Sequence, residues 1–256
     1  MNPSGSEPCD LLPWDSEFFQ CRIGRVRGSQ LTDERASQIE EWSKGNKVRG
    51  LYFLARADDP ATVRTAEKHG FNFVDIRLTF ERVLATREEL ANAARSSSAV
   101  IRPVREEDVE GLQSIARTAH RDTRFFSDPQ LTSKAEALYS TWIRLECQGR
   151  AQKVLVAESS PGKADGYVSC HLDRQRSEGQ IGLIAVAEEA RGRGLGISLV
   201  WSALDWLARA GAKKVTVVTQ GRNQAAQRLY QKCGFLTRDL ELWYHKWYPV
   251  MDSANL

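Results

Sequence analysis

Several patterns are missing from this 256-residue chain, and each absence removes a class of function. No run approaches the ~18 apolar residues that a membrane-spanning helix needs, so no membrane partner is expected. Charge of one sign is not in excess. The 36 Lys and Arg against 33 Asp and Glu leave +3, too little by itself to argue for nucleic acid, and no basic stripe with interleaved aromatics is visible. Cysteine is sparse and odd in number. Cys9, Cys21, Cys147, Cys170 and Cys233 lack CxxC spacing and read as buried or free thiols of a reducing compartment, not as disulfides or a zinc site. His69, His120, His171 and His245 are equally dispersed, with no i, i+4 pair, so no metal site is expected. The opening residues, MNPSGSEPCD, show no basic segment followed by an apolar one, so no secretory signal is expected and a cytoplasmic location is.

What is present fits a globular protein: 41% hydrophobic and 27% charged residues, with length for one large or two smaller domains. The clearest change of composition is "ATREELANAARSSSAV", polar and rich in Ala and Ser. It places a boundary after an N-terminal domain of residues 1–84, with a linker at 85–98 and a second domain at 99–256.

The second domain reads as a mixed α/β sheet. A short strand ends at Pro103, and a helix follows with Glu106, Glu107 and Asp108 in its first turn, where the helix dipole favours acids. A second helix covers "SKAEALYSTWIRLEC". Strands follow at 154–157, 167–172 and 181–186, bounded by turn residues. Past a glycine cluster, Leu199, Val200, Ala203, Trp206, Leu207 and Ala210 recur at helical spacing, with Gly211 at the end. "KKVTVVTQ" is a β-branched strand, "NQAAQRLYQKCG" a helix, and "LELWYHKW" a last strand.

The first domain carries an echo of the second. Residues 58–82 align with 222–246 at a constant offset of 164, with identities at Ala61/Ala225, Arg64/Arg228, Lys68/Lys232, Gly70/Gly234, Phe71/Phe235, Asp75/Asp239 and Leu78/Leu242. "GLYFLAR" precedes the first copy as "KVTVVTQ" precedes the second. The first copy has no glycine cluster, so only the second is expected to bind a phosphate there.

That cluster, Arg191-Gly192-Arg193-Gly194-Leu195-Gly196, fails two nucleotide signatures on spacing. A GxxxxGK[ST] loop would need Lys after Gly196, where Ile197 stands. A GxGxxG fingerprint from Gly192 or Gly194 ends on Ile197 or Leu199. It does satisfy [Q/R]xxGx[G/A] through Arg191, Gly194 and Gly196, between an apolar strand and an amphipathic helix. Two readings remain: a solvated basic turn, or a cradle for a pyrophosphate. Glycines let the backbone turn its N–H groups toward a phosphate, the helix N-terminus adds positive potential, and Arg191 and Arg193 add charge.

With Asn223 and Tyr230 in "NQAAQRLYQKCGF", the order of loop, helix, strand, Asn and Tyr resembles the GNAT superfamily of acyl-CoA-dependent N-acyltransferases over residues 99–247. The resemblance implies a GNAT-fold catalytic domain preceded by a smaller, degenerate GNAT-like half. Acetyl-CoA would be the co-substrate, with its pyrophosphate on the glycine loop and its pantetheine along Ile184, Ala185 and Val186. Asn223 matches the asparagine that contacts the coenzyme, and Tyr230 the tyrosine that protonates the departing thiolate. Glu188 stands where many members have proline, which touches loop stiffness more than chemistry.

For the acceptor, "WDSEFF", "GFNFVDIRLTF", "TRFFSDP", "YSTWI", "GYVS", "IGLIAV" and "VVTQGRNQAA" resemble, in order, members of that superfamily acting on nucleotide-linked amino sugars. A primary amine, most specifically the 4-amino group of a dTDP-linked amino-dideoxy sugar, is the expected acceptor. Other amines (a polyamine, an antibiotic, an amino acid, a protein N-terminus) and a non-catalytic acyl-CoA sensor are the alternatives. Asp75 matches an acidic residue proposed as the base, with Glu178, Glu188 and Glu189 as other carboxylates near the strand. Arg124 is a candidate for a phosphate or carboxylate of the acceptor, with Phe125 and Phe126 as stacking faces, and Thr219 and Gln220 as further acceptor contacts. A homodimer is left open.

Overall fold

A computed structural model describes residues 7–84, 99–160 and 162–249. The expected linker at 85–98 lies outside the described residues. The chain forms two compact units: residues up to Arg77 with those from Leu240 on, and Leu78–Asp239.

In the first unit, β1 (Cys9–Leu11) pairs antiparallel with β2 (Ile23–Val26). β2 pairs parallel with β3 (Gly50–Arg56), from Ile23 opposite Gly50 to Arg25 opposite Tyr52. α1 (Pro13–Phe19), α2 (Asp33–Gly45) and α3 (Pro60–Lys68) complete the connections. α2 and α3 start on side-chain caps, the Thr32 hydroxyl taking the Arg35 N–H and the Asp59 carboxylate taking the Ala61 and Thr62 N–H groups. The far edge of β3 is covered by Glu241–Trp247 of the last strand, running antiparallel. Ile39, Leu51, Phe53, Phe71 and Tyr244 are among the side chains that close this core.

The second unit is built on strand order β4-β9-β8-β7-β6-β5. β4 is Asn72–Val83, of which Leu78 onward belongs here. β5 (Val100–Pro103), β6 (Lys153–Ser160), β7 (Lys163–Asp173) and β8 (Glu178–Val186) form an antiparallel run. α4 (Val109–Ala119), a short α5 (Arg124–Ser127) and α6 (Thr132–Leu145) lie between β5 and β6 in the chain. After β8 come α7 (Leu195–Arg209), β9 (Lys214–Gln220), α8 (Gln224–Lys232) and β10 (Leu236–Trp247). The order of elements is the one the periodicity predicts. β6, β7 and β8 are three to five residues longer than their apolar centres, because backbone pairing continues where side-chain alternation becomes polar. The short α5, inside "TRFFSDP", is not signalled by any periodicity.

The internal echo extends to the elements themselves. β3, α3 and β4 map onto β9, α8 and β10 at an offset of 164, with every start and end residue coinciding. All five cysteines are free. Among the described residues no helix is long and apolar enough to cross a membrane, and no group of three or more His, Cys, Asp or Glu is placed to hold a metal ion.

Candidate active site

The site is built around the end of β8. Parallel pairing of β8 with β9 runs from Glu178 opposite Lys214 to Ile181 opposite Val217 and stops there. β8 continues to Val186 and β9 to Gln220, so Gly182–Val186 keeps one backbone edge without a strand partner. Its other edge stays paired with β7, Ile184 opposite Val168 and Ala185 opposite Tyr167. A strand with one open edge offers N–H and C=O groups to an extended ligand.

A bulge sets where this opening starts. The register on β7 shifts between Val168 and Cys170, so Gly182 and Leu183 together oppose Ser169. The Ser169 hydroxyl, fully buried, accepts the Leu183 N–H at 2.8 Å and so satisfies the amide that the bulge removes from the ladder. Gly182 is needed for space: a Cβ there would sit 2.7 Å from both Ser169 Oγ and His171 Nε2.

Past β8, the Ala187 N–H bonds the Asp165 carbonyl at 2.8 Å, and Lys163 reaches Asp165 at 3.2 Å and Glu189 at 3.4 Å. These contacts anchor the turn that leads into the glycine cluster. Arg191 Nε donates to the Val186 carbonyl at 3.3 Å. Gly192 and Gly194 have φ of 78° and 82°, and a Cβ on either would meet nothing within 4 Å; both adopt the left-handed region that disfavours other residues. Gly194 is the N-cap of α7 and supplies no side-chain acceptor. The first intrahelical bond in α7 runs from Ser198 N to Gly194 O, so the amides of Leu195, Gly196 and Ile197 have no intrahelical acceptor. Arg191, Gly192, Arg193 and Gly194 are exposed, whereas the Leu195 side chain belongs to the core. What Leu195 offers is its amide.

Tyr230 is buried on α8, its ring 5.9 Å from both Phe80 and Phe235. Its hydroxyl makes no hydrogen bond to another described residue. Burial, with Cys233 nearby, raises the phenol above its ordinary value, so it stays protonated throughout the neutral range. Asn223 is the N-cap of α8, its Oδ1 accepting the Ala226 N–H at 3.0 Å. At the end of β9, Thr219 is buried, and the Gln220 carbonyl accepts the Asn223 N–H at 3.0 Å.

The other sequence-predicted residues are placed as follows. Phe125 is core, packed edge-on against Tyr139 and Trp142, and the Arg124 guanidinium lies 4.1 Å from its ring centre. Phe125 therefore offers no free stacking face, while Phe126 is only partly covered and stacks on Tyr139. Asp75 is buried in the first unit, its Oδ1 accepting the Ile76 N–H at 2.8 Å. Its counterpart Asp239 is exposed and pairs with Arg238 at 2.6 Å. The two aspartates share a sequence position and not an environment.

Sequence reasoning missed Ser169 and the pair Glu146 and His171. One signal existed for the bulge, Gly182 inside an apolar strand. For Glu146 and His171 there was none, because a helix end and a strand 25 residues away meet only in the fold.

Residues 114–235 match the family model described as Acetyltransferase (GNAT) family. The chain is 28% identical over 240 residues to dTDP-fucosamine acetyltransferase of Escherichia coli O6:H1, covering 92% of this chain and 96% of that protein. It is 30% identical over 141 residues to the spore coat polysaccharide biosynthesis protein SpsD of Bacillus subtilis, covering 55% of this chain and 48% of that one. Among solved structures, a GCN5-related N-acetyltransferase from Sphaerobacter thermophilus superposes with a TM-score of 0.63 at 17% identity, covering 95% of this chain and 78% of that one. A parallel strand pair that parts at a bulge, an uncapped glycine turn and a buried tyrosine thus occur together inside the matched segment. Over residues 114–235, which hold these features, the chain is similar to the acetyltransferase (GNAT) family.

Proposed function

We propose that the protein transfers an acetyl group from acetyl-CoA to the 4-amino group of a dTDP-linked amino-dideoxy sugar. The donor half of this reading is carried by one observation: β8 runs on unpaired with β9 and leads into a helix start that has no side-chain cap. Pantetheine adds as an extended strand along Ile184–Val186. An amide of that edge donates to the thioester carbonyl and stabilises the oxyanion that forms. The pyrophosphate sits on the Gly194–Ile197 amides, with Arg191 and Arg193 adding charge. Asn223 contacts the coenzyme through the part of its amide that the cap leaves over.

The acceptor half is supported by similarity along nearly the whole chain to an acetyltransferase named for dTDP-fucosamine. Arg124, Thr219 and Gln220 are the acceptor contacts of this reading. The free amine attacks the thioester carbon, the C–N bond forms, and the C–S bond breaks with its electron pair leaving on sulfur. Tyr230 gives its proton to that sulfur. The amine's proton needs a second acceptor, for which the family resemblance names Asp75.

Coenzyme A release tests this directly, with dTDP-4-amino-4,6-dideoxygalactose, UDP-amino sugars, spermidine and short peptides compared at equal concentration. Turnover is expected on the dTDP sugar, with the rate on the peptides and spermidine at background. Turnover on peptides alone would overturn the reading.

A further inference from the structure

A cavity of about 360 Å³ opens beside the bulge of β8, lined by Trp142, Glu146, His171, Gln180, Gly182 and Leu183. Two of its groups form a dyad. His171 Nε2 lies 2.7 Å from Glu146 Oε2, the carboxylate almost fully buried and the imidazole about a quarter exposed to the cavity. Glu146 stands where α6 ends, at the start of a wide turn closed by Gly149 with φ of 103°. Burial raises the Glu146 carboxyl, but the neighbouring His171, Ser169 and Arg150 together outweigh it, and the group is held below its ordinary value, an anion at neutral pH. The other charged or titratable groups near the dyad are Arg150, 3.6 Å from Glu146 Oε1, and the Cys147 and Cys170 thiols, pushed up by burial to about 11 and about 12 and so neutral.

The position matters as much as the chemistry. The same His171 ring edge lies against Gly182, two residues before Ile184 on β8. At about 3.3 Å per residue, that is about 7 Å from the start of the edge assigned to the thioester, a distance that an amine nitrogen spans directly or through one water. Nε2 is the ring nitrogen that faces both the Glu146 carboxylate and Gly182.

We infer that His171, oriented by Glu146, is the base that takes the acceptor amine's proton, and that the cavity at the β8 bulge receives the amine. This rests on the proposed acyl site at Ile184–Val186 and replaces Asp75 as the proton acceptor. As the C–N bond forms, the His171 imidazole takes one proton from nitrogen. As the C–S bond breaks, Tyr230 gives one proton to sulfur. The imidazolium then returns its proton through solvent to the tyrosinate, and no other reactant is needed. Glu146 is a positioning residue: its buried carboxylate, 2.7 Å from the ring nitrogen, sets where the imidazole sits.

The test compares wild type with His171→Gln, Glu146→Gln and Asp75→Asn, reading kcat/KM against pH together with acetyl-CoA affinity by calorimetry. The acceptors are dTDP-4-amino-4,6-dideoxygalactose, spermidine and a peptide. His171→Gln is expected to lower kcat/KM at pH 7 about 10²–10³-fold, as loss of a general base does, to remove the acidic limb of the profile, and to leave acetyl-CoA affinity unchanged. Glu146→Gln is expected to lower kcat/KM less than His171→Gln does, through kcat, with acetyl-CoA affinity unchanged. His120, the other imidazole of this unit, is held apart from that limb, since burial pushes it down to about 4. An unchanged profile in His171→Gln, or a limb lost in Asp75→Asn instead, would overturn the assignment. Turnover on spermidine or peptide alone would sink the sugar reading while the same His171 comparison decides the base. No turnover on any of these amines would overturn both.

Discussion

The two copies of the strand–helix–strand unit share every element boundary at an offset of 164, yet only one stands beside the proposed coenzyme site. The difference lies in four local features. β2 stops one residue after its pairing with β3 ends, whereas β8 runs five residues past its pairing with β9. In the first copy the following helix is closed by the Thr32 hydroxyl, and Arg27 is tied to Asp10 at 2.5 Å. In the second, the helix starts on Gly194 with no side-chain cap, and Arg193 is exposed. At the position of Tyr230 the first copy has Ala66, fully buried. The fourth feature is the β8 bulge, held by Ser169. In the proposed reading, a shared scaffold becomes a site when backbone hydrogen-bonding capacity is left unspent at a strand edge and a helix end, and when one buried phenol is added.

Variants made in pairs break or sharpen this comparison. The largest effect is expected from Tyr230→Phe, which keeps the packing against Phe80 and Phe235 and removes only the hydroxyl. Turnover should fall by roughly 10²–10⁴-fold, with acetyl-CoA affinity retained; steady-state kinetics and calorimetry read both. Next is Gly182→Ala, whose Cβ would meet Ser169 and His171 at 2.7 Å. Overpacking there should cost ~1–3 kcal/mol in thermal unfolding and lower kcat more than acetyl-CoA binding.

Gly194→Ala and Gly28→Ala form a matched pair, since both glycines have positive φ. Each should destabilise by ~1–2 kcal/mol, but only Gly194→Ala should raise the KM for acetyl-CoA. Equal KM in the two variants would remove the loop from the donor site. The smallest effect is expected from the caps, Asn223→Ala against Asp59→Ala. Both should lose about 1 kcal/mol of stability, and only the former should weaken acetyl-CoA binding.

Much of this was legible in the residues. Helical spacing in Leu199–Ala210, β-branching in "KKVTVVTQ" and the repeat offset are local or periodic signals, and they mark elements well. The glycine loop was legible because φ above zero demands a particular residue at Gly192 and Gly194. Other parts were not. The parting of β8 from β9 falls where a hydroxyl from β7 takes the Leu183 amide, and no spacing within either strand encodes that. Asp75 is buried and Asp239 exposed, since equal positions in a repeat carry no information about burial. Phe125 faces its own core because α5, a four-residue helix, turns it inward; a helix that short has no period to detect.

The central claim is that one copy alone holds the coenzyme. Isothermal titration of acetyl-CoA into the full chain measures it most directly. The account predicts one site per chain, weakened by Gly194→Ala and unchanged by Gly28→Ala. Two sites per chain, or binding weakened equally by both variants, would contradict it.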